Sequence, residues 1–337
     1  LQDAFRSEHL AEKLGGKIAL KSDGVPFFVF EMIRGLKEGQ FITELPDGSW
    51  VESEVIEDIE VPDTVRELIQ ARLRGLSNAE RAILDVGSVQ GFEFDPDLVA
   101  CVLEESRISV LQALAAVQRR SGVVQAHGRG VRFDHHQIQE VLYSDLMPAL
   151  REEYHGALAQ ALARRDGVRP EEADDVPGET ALFLASHGLR GHEPREGGPF
   201  LKGALAYLWS RHRHEEAIAL TSRALDLPDL LAASARMDAL LRKNRFLDML
   251  GRREAQARVL AEARAQATET RDCSALSIVE FELGVQALNA GRNEEAKACF
   301  ERILARALEV GDLRTQEKAT ANLGSVLSSL GRLEDAK

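Results

Sequence analysis

The chain has 337 residues, is 44% hydrophobic but only 5% aromatic, and carries a formal net charge of −13. That acidity disfavours non-specific attraction to nucleic acid or anionic membrane, and no apolar run approaches the roughly 20 residues a membrane helix needs. Cys101, Cys273 and Cys299 lack C-x-x-C spacing and read as buried small apolar residues in a reducing cytoplasm.

Residues 1–23 hold one amphipathic stretch, with Leu10, Leu14, Ile18 and Ala19 on one face, broken by Gly24-Val25-Pro26. Pro26 suits the first turn of the next helix, because its missing N–H has no partner there anyway. That helix runs from Phe27 to about Lys37 and is very apolar, with Phe28, Phe30, Met32, Ile33 and Leu36. A short hairpin follows: Phe41-Ile42, a turn at Pro46-Asp47-Gly48, then Trp50-Val51. The acidic stretch from Glu52 to Glu60 reads as a solvated loop.

From Val61-Pro62 the spacing predicts a helix carrying Val65, Leu68, Ile69 and Leu73. Ser77-Asn78-Ala79-Glu80 is a capping box opening a helix with Ile83, Val86 and Val89. Asp95-Pro96 opens another with Leu98, Val99, Val102 and Leu103, and a fourth carries Ile108, Leu111, Leu114 and Val117 up to Gly122. Val123-Val124-Gln125, a turn at Gly128-Arg129-Gly130, and Val131-Arg132-Phe133 then predict a β-hairpin. Helices followed by such a hairpin are the layout of a winged helix. The stretch from Val131 to Tyr143 starts as a strand and ends as a helix, and after Tyr143 the chain reads as helical to about Arg165, with loops expected at 166–178 and 191–198.

The last 130 or so residues repeat. Gly251-Arg252-Arg253-Glu254-Ala255, Gly291-Arg292-Asn293-Glu294-Glu295-Ala296 and Gly331-Arg332-Leu333-Glu334-Asp335-Ala336 recur every 40 residues. His212-Arg213-His214-Glu215-Glu216-Ala217 is a degenerate earlier copy. Leu283-Gly284 and Leu323-Gly324 recur at the same period, and small residues there let the two helices of a hairpin approach closely. Gly at the turn ends the first helix, and Glu begins the second where the dipole favours it. Each hairpin leaves an apolar face that only its neighbour can cover, so the units must stack.

Gly24-Val25-Pro26-Phe27-Phe28-Val29, the run Val61-Pro62-Asp63-Thr64-Val65 to Ala71-Arg72-Leu73, and Phe133 to Tyr143 occur in fixed order. Together they resemble the C-terminal half of the ATPase module of bacterial STAND-class (AAA+-related) signalling proteins. That module sits behind serine/threonine kinase or nucleotide cyclase domains, or in large transcription activators, and is commonly followed by tetratricopeptide-type repeats. The expected fold is mainly α: a helical lid remnant with its hairpin over residues 1–60, a winged helix over 61–143, a helical connector over 144–198, and an α-solenoid of TPR-like helix pairs over 199–337, the last one truncated. The chain lacks an initiator Met and ends at Lys337 within a helical pattern, so it is expected to be part of a longer protein.

The resemblance implies ATP or ADP held between an upstream P-loop domain and this chain, with no metal within the chain. It places Gly24 and Pro26 in a Gly-x-Pro turn whose Pro packs on the adenine, and His135 at the nucleotide phosphates. Many relatives have Asp after that His; here His136 stands there, and no carboxylate role is carried over. Read without the family, a Pro can offer a flat apolar face to a base and a His can donate to a phosphate oxygen. Equally, Pro26 can simply start a helix and His135 can be satisfied locally at a strand end.

No G-x-x-x-x-G-K-[ST] and no kinase loop motif occurs, and Gly15-Gly16-Lys17 followed by Ile18 is a decoy. The chain is therefore expected not to be an enzyme alone, although its parent can be an ATPase linked to a kinase or cyclase. His135-His136, His187 with His192, and His212 with His214 lack zinc-ligand spacing and read as solvated or locally bonded. The expected function is the regulatory and protein-interaction portion of a cytoplasmic signalling ATPase, with a protein partner on the repeats. Two other readings stay open: a stand-alone repeat scaffold, and a transcription regulator contacting DNA through Arg119, Arg120, Arg129 and Arg132 around the wing. The apolar third helix of the winged helix disfavours the latter.

Overall fold

The computed structural model describes residues 7, 10, 11, 14, 15, 18, 26–38, 42–45, 50–52 and 65–331. They form two compact units, Leu1–Tyr154 and His155–Lys337. The expected turn at Pro46-Asp47-Gly48, the acidic stretch 53–60, the Val61-Pro62-Asp63-Thr64 run and residues 332–336 of the last repeat copy lie outside the described residues.

In the first unit Pro26 begins helix α1 (Pro26–Glu38). Met32, Ile33 and Leu36 of α1 bury a common core with Leu10, Leu14, Ile18 and Ile42. Strands β1 (Ile42–Glu44) and β2 (Trp50–Glu52) pair antiparallel with Thr43 opposite Val51. Trp50 packs on the same core, and the Lys37 ammonium lies 4.0 Å from its ring centroid.

Helix α2 (Val65–Leu73) precedes α3 (Asn78–Gln90), whose start is set by the Ser77 side chain accepting from the Glu80 N–H while Glu80 reaches back to the Ser77 N–H. Ser77→Ala is expected to lower stability by about 1 kcal/mol in urea unfolding, with an unchanged denaturant slope. Strand β3 (Glu93–Phe94), α4 (Pro96–Val102), α5 (Arg107–Ser121), β4 (Val124–His127) and β5 (Gly130–Phe133) follow. The sheet order is β3-β5-β4, antiparallel throughout, with Phe94 opposite Val131 and Val124 opposite Phe133. This is the winged-helix arrangement, with one strand more than the hairpin predicts.

Two details differ from the sequence reading. In α5 the buried stripe is Val110, Leu114 and Val117, leaving Ile108 and Leu111 exposed. Positions i, i+4 and i+7 face the core here, so the i−2 and i+1 positions turn outward. The cysteines are free, with Cys101 and Cys273 exposed and Cys299 partly so, because their neighbours on α4 and the repeats take the core positions instead. Helix α6 (His136–Asp145) follows β5, and α7 (Pro148–Asp166) follows α6.

The second unit is built from helices that pack each against the next. After short 3-10 turns at Pro170–Asp175, Pro194–Glu196 and Gly198–Phe200, with α8 (Gly178–Gly188) between them, come α9 (Leu201–Ser210) and α10 (His214–Asp226). Then come α11 (Ala233–Met249), α12 (Arg253–Glu269), α13 (Cys273–Asn289), α14 (Asn293–Val310) and α15 (Leu313–Ser329). Gly251 and Gly291 turn hairpins and Gly331 follows α15, at φ of 67°, 74° and 75° with open space around each, so dihedral angle rather than crowding selects Gly. His212 takes the same left-handed conformation, φ 57°, in the degenerate first copy. At Gly284 the reason is crowding: a Cβ there would lie 2.9 Å from the Phe300 ring, so α13 and α14 meet at the small residue. Two cores of Ala, Leu and Val run through the stack, one centred on α11–α13 and one on α13–α15.

Candidate functional site

His135 is positioned by the end of β5 and the start of α6. Its backbone is extended (φ −146°, ψ 147°) and it is the N-cap of α6, its ring Nδ1 accepting from the Gln137 N–H at 3.3 Å. An Nδ1 that accepts leaves the proton of a neutral imidazole on Nε2, so the ring carries its donor on Nε2. That is the tautomer needed to bond a phosphate oxygen. His136 points elsewhere and stacks on Phe92, with ring centroids 3.7 Å apart. Gly24 lies outside the described residues, as does the side chain of Pro26, so His135 is the member of the expected site whose surroundings are described.

Beside His135, Asp134 gathers side chains from three other elements. Gln125 of β4 donates to its Oδ1 at 2.5 Å, Arg72 of α2 stands 3.7 Å from Oδ2, and Arg34 of α1 stands 3.9 Å from Oδ2. Arg72 is buried and also donates Nε and Nη2 to the Ser121 carbonyl, at 3.2 and 2.7 Å. Sequence reading missed this cluster, because its members lie far apart in the chain and no spacing rule links them.

Of the arginines around the wing, Arg120 is already engaged by a carboxylate. Arg120 pairs with Glu80 at 2.8 Å, and this bond, with the Ser77 N–H, holds the Glu80 carboxyl below its usual range. The exposed face of α5 presents Ile108 and Leu111.

In the second unit, His187 is neither solvated nor bonded locally, as the sequence reading has it. His187 meets His155, not His192: both rings are buried, Nδ1 to Nδ1 at 2.9 Å, with Phe183 stacked on His187. Burial first, then His155 and Arg190, push the His187 imidazole well below its ordinary value. Among the described residues no three His, Cys, Asp or Glu side chains come together as a metal-holding group, and no helix is long and apolar enough to cross a membrane.

The first helices of successive repeats, α11, α13 and α15, touch one another directly. At 40-residue spacing, Arg242, Glu282 and Asn322 occupy equivalent positions, as do Asp238, Ile278 and Lys318. Buried Asn244 donates to Glu282 at 2.9 Å. Burial raises the Glu282 carboxyl, Arg245 and the Asn244 bond pull it back, and Asp248 and Lys318 act more weakly in opposite senses. Charges from α11 and α15 therefore bear on one carboxylate of α13, whose helix also carries the exposed Ile278.

The architecture defines a class: a mainly α chain with a small three-stranded sheet, ending in a solenoid of helical hairpins. No protein-family model and no curated protein matches the sequence. A crystal structure of a signal transduction ATPase with numerous domains (STAND) protein with a tetratricopeptide repeat sensor, from Pyrococcus horikoshii, is similar at 11% identity and a TM-score of 0.27. The similarity covers 99% of this chain and 63% of that one, so this chain spans less than two thirds of that protein.

Proposed function

We propose that this chain is the regulatory and protein-interaction portion of a nucleotide-controlled signalling ATPase acting in the cytoplasm. Its first unit helps sense ATP or ADP held by a P-loop domain elsewhere in the protein, and its repeats take a protein partner on the face of α11, α13 and α15. The observation that carries the reading is His135, an N-cap whose Nδ1 is used locally and whose Nε2 therefore holds the donor proton. Pro26 at the start of α1 supplies the adenine contact and Gly24 the turn before it. The residues of this chain bind and orient; with no P-loop motif of its own, it leaves phosphate cleavage to the P-loop domain. Coupling is mechanical: the nucleotide sets the packing of α1 and the winged helix, and the partner on the repeats biases that packing.

The test is ADP binding by calorimetry in the longer protein that carries both the P-loop domain and this chain. His135→Ala is expected to weaken ADP about tenfold or more, as loss of a bond to a charged group does, and Pro26→Ala to weaken it severalfold by loss of the apolar contact with the base. Unchanged affinity in both variants overturns the nucleotide-sensing reading and leaves the repeats as a scaffold.

A further inference from the structure

We infer that the cavity between α13, α14 and α15 binds a small zwitterion of the α-amino-acid type, its carboxylate on Arg306 and its ammonium group on Glu280. The cavity holds about 400 Å³, within the range of small-ligand sites. Helical spacing brings its walls together. Ser274, Ser277 and Glu280 recur at i, i+3 and i+6 on α13, and Ile303, Arg306 and Ala307 at i, i+3 and i+4 on α14. Each helix therefore turns one face to the cavity.

The repeat itself explains why a cavity opens here. One period of 40 residues earlier, Met237 and Leu240 stand where α13 has Ser277 and Glu280, and Gln266 stands where α14 has Arg306. Met237 and Leu240 are buried in the core of their hairpin. A short hydroxyl and a carboxylate in their place give up that packing and set a charge at a core position. The Glu280 side chain is only 25% exposed, and the Arg306 guanidinium stands 3.9 Å from it. Among the described residues neither group makes a hydrogen bond. Partly buried charges ordinarily have such bonds, so the donors of Arg306 and the acceptors of Glu280 remain for a ligand.

The ligand class follows from these groups. A simple anion would meet Glu280 unpaired, and a simple cation would meet Arg306 unpaired. Opposite charges this close suit a ligand whose own opposite charges sit on neighbouring atoms and pair crosswise, through the stronger, charge-assisted kind of bond. Ser277 Oγ donates to the Cys273 carbonyl at 2.9 Å, and Thr315 Oγ1 donates to Asp312 at 2.6 Å. Both hydroxyl oxygens keep acceptor lone pairs for the remaining ammonium protons. Ile303 and Ala307 are buried and give a small apolar floor, which suits a short side chain. A ligand held there touches three consecutive helices and so ties one hairpin to the next. The inference rests neither on the protein partner proposed for α11, α13 and α15 nor on nucleotide sensing.

The test is isothermal titration calorimetry of the full chain with glycine, L-alanine, L-serine and L-valine. The tightest of these is expected to bind with a Kd between about 1 μM and about 1 mM. Its analogue lacking the amine and its analogue lacking the carboxylate (propionate and ethylamine for L-alanine) are each expected to bind at least about tenfold more weakly. Glu280→Leu and Arg306→Gln copy the residues found one period earlier, so both are expected to fold, and each is expected to weaken binding about tenfold or more. Glu280→Gln keeps the size of the side chain and decides the matter if Glu280→Leu alters the fold. Binding of none of the four with a Kd below about 1 mM overturns the inference. So does an analogue as tight as the amino acid, or unchanged affinity in Arg306→Gln or Glu280→Gln.

Discussion

Gly188→Ala is expected to destabilise the second unit by about 3 kcal/mol, at the upper end of what overpacking a tight contact costs. Gly188 ends α8, and a Cβ on it would lie 2.6 Å from the Gly197 Cα and 2.7 Å from the Gly197 nitrogen. The obstruction is backbone on both sides, so no side chain can rotate away to make room. The contact is reciprocal: a Cβ on Gly197 would lie 2.6 Å from the Leu189 nitrogen. A second close approach sits nearby, where a Cβ on Gly191 would come within 2.9 Å of the Gly156 Cα. Two glycine pairs thus let α7, α8 and the following turn meet main chain to main chain. The φ of Gly188 is not left-handed, so the substitution tests crowding alone. Gly251→Ala is the matching control: its φ is 67° but nothing lies within 4 Å of its Cβ position, so it carries only the left-handed penalty of about 1 kcal/mol. Urea unfolding of both variants decides the matter. A loss for Gly188→Ala no larger than for Gly251→Ala would mean the close approach does not exist in solution.

What could be read from the sequence was what is local or periodic. The capping box at Ser77 and Glu80 needs only four consecutive residues, and the structure shows both of its bonds. The left-handed glycines at 251, 291 and 331 announce themselves by recurring every 40 residues, and the aligned His212 shows that the turn outlasts its Gly. What was not legible depends on partners distant in sequence. Glu93 and Phe94 become a strand only because Arg132 and Val131 arrive beside them, and two residues carry no periodicity to read. The stripe of α5 offered two overlapping apolar sets, and which one is buried was decided by packing against α3 and α4. His187 reads from sequence as solvated or locally bonded, whereas helical packing brings it to His155, 32 residues away. Of the site, the cap geometry of His135 could not be read from Phe133–His135 alone, and the convergence of Arg34 and Arg72 on Asp134 had no sequence signal at all.

The buried histidine pair makes the second unit sensitive to mild acid. For two neutral rings to approach Nδ1 to Nδ1 at 2.9 Å, one must donate and the other accept, so the pair holds opposite tautomers. The first added proton places a charge where burial already depresses the His187 pKa; the second sets two N–H donors facing each other. In the unfolded chain the same rings titrate near about 6.5. Above that pH both states are neutral and the pair contributes no pH dependence. As pH falls below it, the unfolded state takes up protons that the folded state resists. Stability is therefore lost with acidification, by up to about 1.4 kcal/mol per pH unit for the depressed His187, until its folded pKa is reached. Denaturant unfolding of the full chain at pH 7.5 and 5.5 measures this, with His155→Leu combined with His187→Phe as the reference. Replacing both partners by apolar groups removes the facing Nδ1 atoms together, so the double variant is expected to fold at pH 7.5. The wild type is expected to lose about 1 kcal/mol more than the double variant between the two pH values. The other histidines and the carboxylates are common to both proteins and cancel in the comparison. Equal losses would show that the pair does not titrate as a buried unit, and that the acid sensitivity lies elsewhere in the chain.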